Sequence, residues 1–397
     1  MGMSFREMLE QVKAGRADPE CKAAVKAEIE KHEAIADYLA ERFDEQFSDQ
    51  EPPPSPETGR IARRVRFRLL GSACLAVLAV FLIASAAVLF CDLSYYNPNK
   101  GIEARYGGDG QFLLDMAAFT ELHSPGYTAS YAEAVHSGPG SYDLRIRQND
   151  LFWGRELSSF DRLVRGKTVG SGGRTANEYW RFPVVNAFGY RQGLIVWVDE
   201  NGVEHTEADP DALADCREAL AALPPSSRAA VYVTFGHDLS LEEFDALLAR
   251  YGEKVPDLYF AYAAVAARDG YQPGTLGFEP SGAGLVFENA PEEEFPCFEL
   301  ALHDDEMEEN RPAVWEEHFH SLLRYLSGRP GFLEAMANVN GISPEYYQEA
   351  LRYIDQNGIG IYGALVHGGA QDILRLLEEE DIRDFYVENV KLSVLSR

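Results

Sequence analysis

The run Leu69–Cys91, LLGSACLAVLAVFLIASAAVLFC, carries no charge, and none occurs anywhere between Arg68 and Asp92. Its 23 residues, as a helix rising about 1.5 Å per residue, reach roughly 35 Å. That is enough to cross a hydrocarbon core of about 30 Å with some tilt. A buried core helix seldom runs so long without a polar face. A cleaved signal peptide does not fit either, because the run begins near residue 69 and exceeds a usual apolar signal region. Bulky Phe90 before Cys91 argues against a lipoprotein site. The run is read as a single transmembrane helix, and it divides the chain into a short amino-terminal and a long carboxy-terminal part.

Orientation follows from the flanks. Arg60, Arg63, Arg64, Arg66 and Arg68 crowd the amino-terminal side, whereas only Lys100 and Arg105 lie near the other end. Lysine and arginine excess stays in the cytoplasm, so the amino terminus is expected inside and the larger part outside the cell membrane. The arginines also suit anionic headgroups, and Tyr95 and Tyr96 suit the outer interface.

The whole chain is acidic, with 36 Lys+Arg against 64 Asp+Glu and a net charge of −28. That balance excludes a nucleic-acid-binding protein, whose phosphate contacts need a basic face. Hydrophobic residues at 46% and aromatics at 12% exclude wholesale disorder, and a mean hydropathy of −0.25 excludes a multi-span protein. Its 397 residues suffice for two or three domains. The five cysteines, Cys21, Cys74, Cys91, Cys216 and Cys297, are too scattered for a disulfide framework. Cys216 and Cys297 lie on the outer side, and no bond between them is expected from their spacing.

Residues 1–59 hold 14 acids and 7 bases. A first helix is predicted from Ser4 to Ala14, with Phe5, Met8, Leu9 and Val12 on one face and Gly15 as its stop. A second starts at Asp18 as N-cap with Pro19 at N1 and runs to about Phe47. Val25, Ile29, His32, Ala36, Leu39 and Phe43 recur at spacings of four and three, giving a continuous stripe. A helical hairpin this small rarely stabilises itself, so the stripe needs a cover. Either a partner protein docks on it, or the helices self-associate or pack on themselves. The residues expected to bind a partner are Phe5, Met8, Leu9, Val12, Val25, Ile29, Leu39 and Phe43. Cys21 and His32 are too few for zinc. Residues 51–68 read as a linker, first proline-rich and extended through Pro52, Pro53, Pro54 and Pro56, then basic.

The outer part reads as mixed α+β. In a first domain, 92–215, strands are expected at Tyr142–Ile146, Asn177–Val185 and Leu194–Val198, the last followed by the turn Asp199–Gly202. Gly166-Lys167-Thr168 does not make a phosphate loop, because Asp161 stands where that motif needs glycine. The stretch 166–173 is read as a surface loop. The second domain, 225–397, holds strand Ala229–Phe235, a helix Leu241–Tyr251 opened by Ser240 and Glu243 as a capping box, and strand Leu258–Val265. Helices Ala313–Ser327 and Pro344–Asn357 follow, the latter between Ser343 and Gly358. Strand Ile359–Val366, helix Ala370–Glu379 and a strand within Ile382–Leu392 complete a second β-α-β unit.

Catalytic and metal constellations are missing from the letters. His318 and His320, two apart on a helix, point roughly 200° apart and suit one ion poorly. No nucleophile elbow or Ser-x-x-Lys pair occurs, and the acidic runs lack the spacing of a calcium loop. No cofactor, no metal and no enzyme activity is expected.

The strings Val231-Tyr232-Val233-Thr234-Phe235, Glu317-His318-Phe319-His320-Ser321-Leu322-Leu323-Arg324-Tyr325-Leu326, Ala350-Leu351-Arg352-Tyr353-Ile354, Tyr362-Gly363-Ala364 and Val387-Glu388-Asn389-Val390-Lys391-Leu392 occur in this order. The carboxy-terminal part resembles the C-terminal domain of bacterial sigma-factor regulators, membrane-bound anti-sigma factors for extracytoplasmic-function sigma factors. The basic flank, the span and the Tyr/Gly-rich region to about residue 155 are similar to that family's N-terminal module. The resemblance implies a cytosolic segment that binds a sigma factor, one span and an outer sensory part. This chain differs in its acidic, alanine-rich composition and in an outer insert near residues 268–312. Two functions are open: a transmembrane anti-sigma factor releasing its partner on an outer signal, or a membrane-anchored envelope enzyme or ligand-binding protein with a short cytoplasmic tail.

Overall fold

A computed structural model describes residues 5–13, 18–48, 56–102, 110–170, 188, 197–205, 210–255, 257–269, 272, 274–283, 286–287, 289–336 and 342–392. The chain divides into two compact units, Met1–Ile83 and Ala84–Arg397.

The first unit holds α1 (Phe5–Lys13), α2 (Pro19–Ser48) and most of α3 (Pro56–Ser94). Asp18 opens α2 as expected, its carboxylate accepting the Cys21 amide at 2.7 Å. The predicted basic linker is helical from Pro56 onward. Proline is preorganised for a first helical position, and the arginines that follow are good helix formers. Only the proline-rich stretch up to Ser55 lies outside the described residues. Within α3, Arg63–Ser94 is long and apolar enough to cross a membrane.

The second unit contains two main sheets. The first is a meander of β1 (Tyr127–Gly138), β2 (Ser141–Asp150), β3 (Arg155–Val164) and β4 (Lys167–Gly170), paired in that order and antiparallel throughout. The expected strand Tyr142–Ile146 is the middle of β2. The 166–173 stretch is not simply a loop: Arg165 and Gly166, with φ of 50° and 74°, turn the chain and Lys167–Gly170 pairs with β3. Two consecutive positive φ angles suit the twist of a tight hairpin, and the second falls on glycine. The α4 helix (Gln111–His123) packs on β1. It is buried almost all round, so it carries no amphipathic period to read. A small hairpin, β5 (Trp197–Val198) with β6 (Glu204–His205), flanks the expected Asp199–Gly202 turn. The expected strand Asn177–Val185 lies outside the described residues.

The second sheet is built from β7 (Arg228–Leu239), β8 (Tyr259–Ala266), β9 (Gly277–Phe278), β10 (Gly360–Gly369) and β11 (Ile382–Lys391). Its order is β11-β7-β10-β8-β9, with every neighbouring pair antiparallel. Helix α6 (Leu241–Lys254) joins β7 to β8, and α10 (Ala370–Glu379) joins β10 to β11. Each β-α-β unit is therefore split by a strand of the other: β10 lies between β7 and β8, and β7 between β10 and β11. This interleaving is the ferredoxin-like arrangement. The capping box of α6 forms, with the Ser240 hydroxyl accepting from the Glu243 amide at 3.2 Å and the Glu243 carboxylate accepting the Ser240 amide at 2.8 Å.

Between β8 and β10 the chain inserts α7 (Asp304–Ser327), α8 (Pro330–Met336) and α9 (Pro344–Asn357). The expected helix Ala313–Ser327 is the second half of α7. Asn310 is non-helical, and its side chain accepts the Ala313 amide at 3.4 Å, with Pro312 just beyond the kink. The bounds of α9 match the reading, with Ser343 capping the Tyr346 amide and Gly358 taking φ 78°. Helix α5 (Pro210–Ala221), unforeseen in sequence, packs on α10.

Both faces of the second sheet are covered. Along β7, Val231, Val233 and Phe235 enter the main core, while Ala230 and Tyr232 face a second cluster with Tyr262, Tyr362 and Phe188. That alternation follows the two-residue period of a strand. It explains why β7 reads as a continuous apolar run.

Candidate partner-binding site

The amino-terminal hairpin leaves apolar surface uncovered. Ile29, Leu39 and Phe43 are 42%, 59% and 66% exposed, and Phe5 is exposed too. Ile35 and Tyr38, absent from the predicted stripe, widen this exposed surface, and Arg42 sits 6.0 Å over the Tyr38 ring. Both lie off the main four-and-three row, so the periodicity passed over them. Leu9 and Val12 are half-buried where α1 meets α2. Val25, expected on the binding face, is 3% exposed, and Cys21 one turn before it is buried too. The side chains of Met8 and Arg60 lie outside the described residues. Arg63, Arg64, Arg66 and Arg68 are exposed along α3. Lys26 and Glu30 pair at 3.7 Å with both side chains open to solvent.

In the second unit several buried polar side chains bond to one another. Asp115, on the buried α4, receives two hydrogen bonds of 2.7 Å from the Arg329 guanidinium, one of 2.7 Å from the Tyr325 hydroxyl and one of 3.0 Å from Tyr96. The fork-to-carboxylate geometry is the strong, charge-assisted kind. Burial, then the Asp115 charge, pushes both tyrosines well above their usual range.

Three buried histidines differ in their hydrogen bonding. His123 donates from Nδ1 to the Thr275 carbonyl and accepts the Tyr347 hydroxyl at Nε2, each at 2.8 Å. That pairing suits a neutral ring, and burial lowers its pKa to about 4. His318 contacts the Cys297 carbonyl at 2.7 Å and the Glu121 carboxylate at 2.8 Å, so both nitrogens face acceptors. Burial opposes its charge, but the Glu121 charge and hydrogen bond, joined by the Cys297 carbonyl and the Glu279 charge, together raise its pKa. His320 contacts the Glu316 carbonyl and Asp355. The two histidines thus have separate partners and do not converge on one point. No disulfide joins any of the five cysteines, Cys216 and Cys297 included. The sequence singled out His318 and His320, but it held no signal for Asp115, Glu121 or His123, because their helix lacks a readable face.

The interleaved sheet places the carboxy-terminal domain in the ferredoxin-like α+β class. Residues 220–389 match the family model described as sigma factor regulator C-terminal. The match covers the carboxy-terminal domain, and the rest of the chain lies outside it. No curated protein and no solved structure matches the chain.

Proposed function

We propose that the protein is a single-pass membrane anti-sigma factor. Its α1–α2 hairpin holds a sigma factor on the cytoplasmic face, α3 crosses the membrane, and the second unit, outside, sets when the partner is released. The observation that carries this reading is the exposed apolar surface of Ile29, Ile35, Leu39 and Phe43 on a helix that is otherwise acidic. Such a face is what an amphipathic helix presents to a groove. Its acidic surroundings suit a basic partner surface of the kind that also meets DNA and polymerase. The arginine-rich start of the span supports a cytoplasmic hairpin. Holding the partner at the membrane keeps it away from promoters.

The test is affinity capture of the full chain from detergent-solubilised membranes of its own cells, with bound proteins identified by mass spectrometry. A sigma factor should co-purify with the wild-type chain. That sigma factor should be inhibited less by the Leu39→Asp chain, as read by run-off transcription with added polymerase. Capture of no sigma factor, or equal inhibition by the variant, would overturn the proposal.

A further inference from the structure

The carboxy-terminal end of α3 packs against the tips of two hairpins of the first sheet. A side-chain carbon placed at Gly140, in the β1–β2 turn, would stand 3.2 Å from the Cys91 Cβ and 3.3 Å from the Tyr95 ring. One placed at Gly166, in the β3–β4 turn, would stand 3.9 Å from the Tyr95 Cβ and from the Tyr96 amide nitrogen. The two tips are joined, because the Arg165 amide donates to the Gly140 carbonyl at 2.7 Å. Asp92 fastens the first tip to the helix, accepting from the Gly140 amide at 3.3 Å and from the Tyr142 hydroxyl at 3.4 Å.

Cys91 is the last residue of the uncharged run, so in a bilayer it marks the level where hydrocarbon gives way to headgroups. Tyr95 lies one helical turn beyond it, its amide still donating to the Cys91 carbonyl at 3.0 Å. Four helical residues advance about 6 Å, and the headgroup layer is about 5–8 Å deep on each side. The β3–β4 tip, level with Tyr95, therefore lies within that layer. Arg165 and Lys167 flank its glycine; both are exposed, and neither pairs with an acidic side chain among the described residues. The two turns themselves, 138–141 and 164–168, hold no acid in a chain of net charge −28. The carboxylate beside them, Asp92, is taken up by Gly140 and Tyr142, with His136 at 3.8 Å.

We propose that the joined hairpin tips dock on anionic phospholipid headgroups, with Arg165 and Lys167 as the groups that meet the phosphates. The arginine fork matches two phosphate oxygens, and the lysine supplies a point charge. Two cations hold a free protein to a membrane weakly. Here the span already keeps the tips at the surface, so the contact forms at a high effective concentration. A zwitterionic surface lacks the net charge that draws them. The first sheet is thereby fixed to the bilayer at a second point, beside the span. This inference rests on the reading of α3 as a membrane span, but not on its orientation or on what the α1–α2 hairpin binds.

The experiment uses the full chain with its native cysteines replaced and a fluorophore on Pro139→Cys, in nanodiscs containing headgroup-spin-labelled lipid. One set is phosphatidylcholine, and the other holds about a third phosphatidylglycerol. Quenching is expected to be at least about twofold stronger in the anionic set, and the difference should vanish in about 1 M salt, where charges are screened within ~3 Å. Arg165→Glu with Lys167→Glu should also remove the difference, and Arg165→Lys with Lys167→Arg should keep it, each with an unchanged circular dichroism spectrum. If the charge-reversed variant does not fold, the salt dependence and the conservative variant carry the test. The probe reports the tips alone, so the arginines at the far end of the span do not enter the signal. Equal quenching in both sets, a difference that survives high salt, or one kept by the folded charge-reversed variant would overturn the docking and leave the span reading intact. A chain that does not enter nanodiscs would overturn the span reading and the docking with it.

Discussion

At the scale of single residues, the second unit depends on a few buried charges and their partners. Asp115 is inaccessible and takes four short hydrogen bonds from Arg329, Tyr325 and Tyr96. Removing one member of such a pair strands the other. Asp115→Ala should therefore cost about 3–5 kcal/mol in urea unfolding of the full chain. The double variant Asp115→Leu with Arg329→Leu should cost less than the sum of the two single changes. Additive losses would mean that the two groups act independently. His123 gives a pH dependence. Burial holds its folded pKa at about 4, below the ordinary 6.5 of a histidine. Stability from this group is complete above pH 6.5 and is lost as the pH falls toward 4, because the unfolded state takes up the proton first. The loss by pH 4 is about 3 kcal/mol at ~1.36 kcal/mol per unit. Thermal unfolding of wild type and His123→Gln should converge as the pH drops from 7 to 4; a constant gap would count against a buried neutral imidazole.

At the scale of elements, the hairpin and the split β-α-β units behave differently in sequence. The stripe on α2 was legible because a surface helix must alternate polar and apolar faces, and Ile29, Leu39 and Phe43 are exposed on it. Which part of that stripe is covered by α1 was not legible, and Val25 proves to be inside. The binding prediction therefore moves to the outward residues. Ile29→Asp or Leu39→Asp should weaken capture of the sigma factor by at least 2 kcal/mol, or roughly thirtyfold. Lys26→Glu, on an exposed ion pair, should change it by less than about 1 kcal/mol. Membrane abundance of each variant is measured alongside. A fall in capture that merely follows abundance would point to self-packing of the hairpin instead.

At the scale of the whole molecule, topology decides whether the hairpin and the second unit can have the proposed roles. With the native cysteines replaced, a single cysteine introduced at Lys100 should react with an impermeant maleimide from outside the cell, and one introduced at Arg16 should not. The reverse labelling pattern would defeat the proposed arrangement.

The sequence by itself determined features encoded locally. The 23-residue uncharged run shows as one long apolar helix, and the α6 and α9 starts are set by side-chain caps on their first amides. The strands β7 and β10 show as apolar runs. Three things were decided only by the tertiary structure. The pairing of β11 with β7, and of β7 with β10, interleaves the two β-α-β units, and no local pattern encodes which strands become neighbours. The α4 helix is buried on all sides, so the polar face that would announce a helix is absent. The convergence of Glu121, Thr128, Glu279 and Glu299 on one cavity joins positions far apart in the chain. Such a grouping exists only once packing has brought those elements together, because burial is a property of the assembled fold.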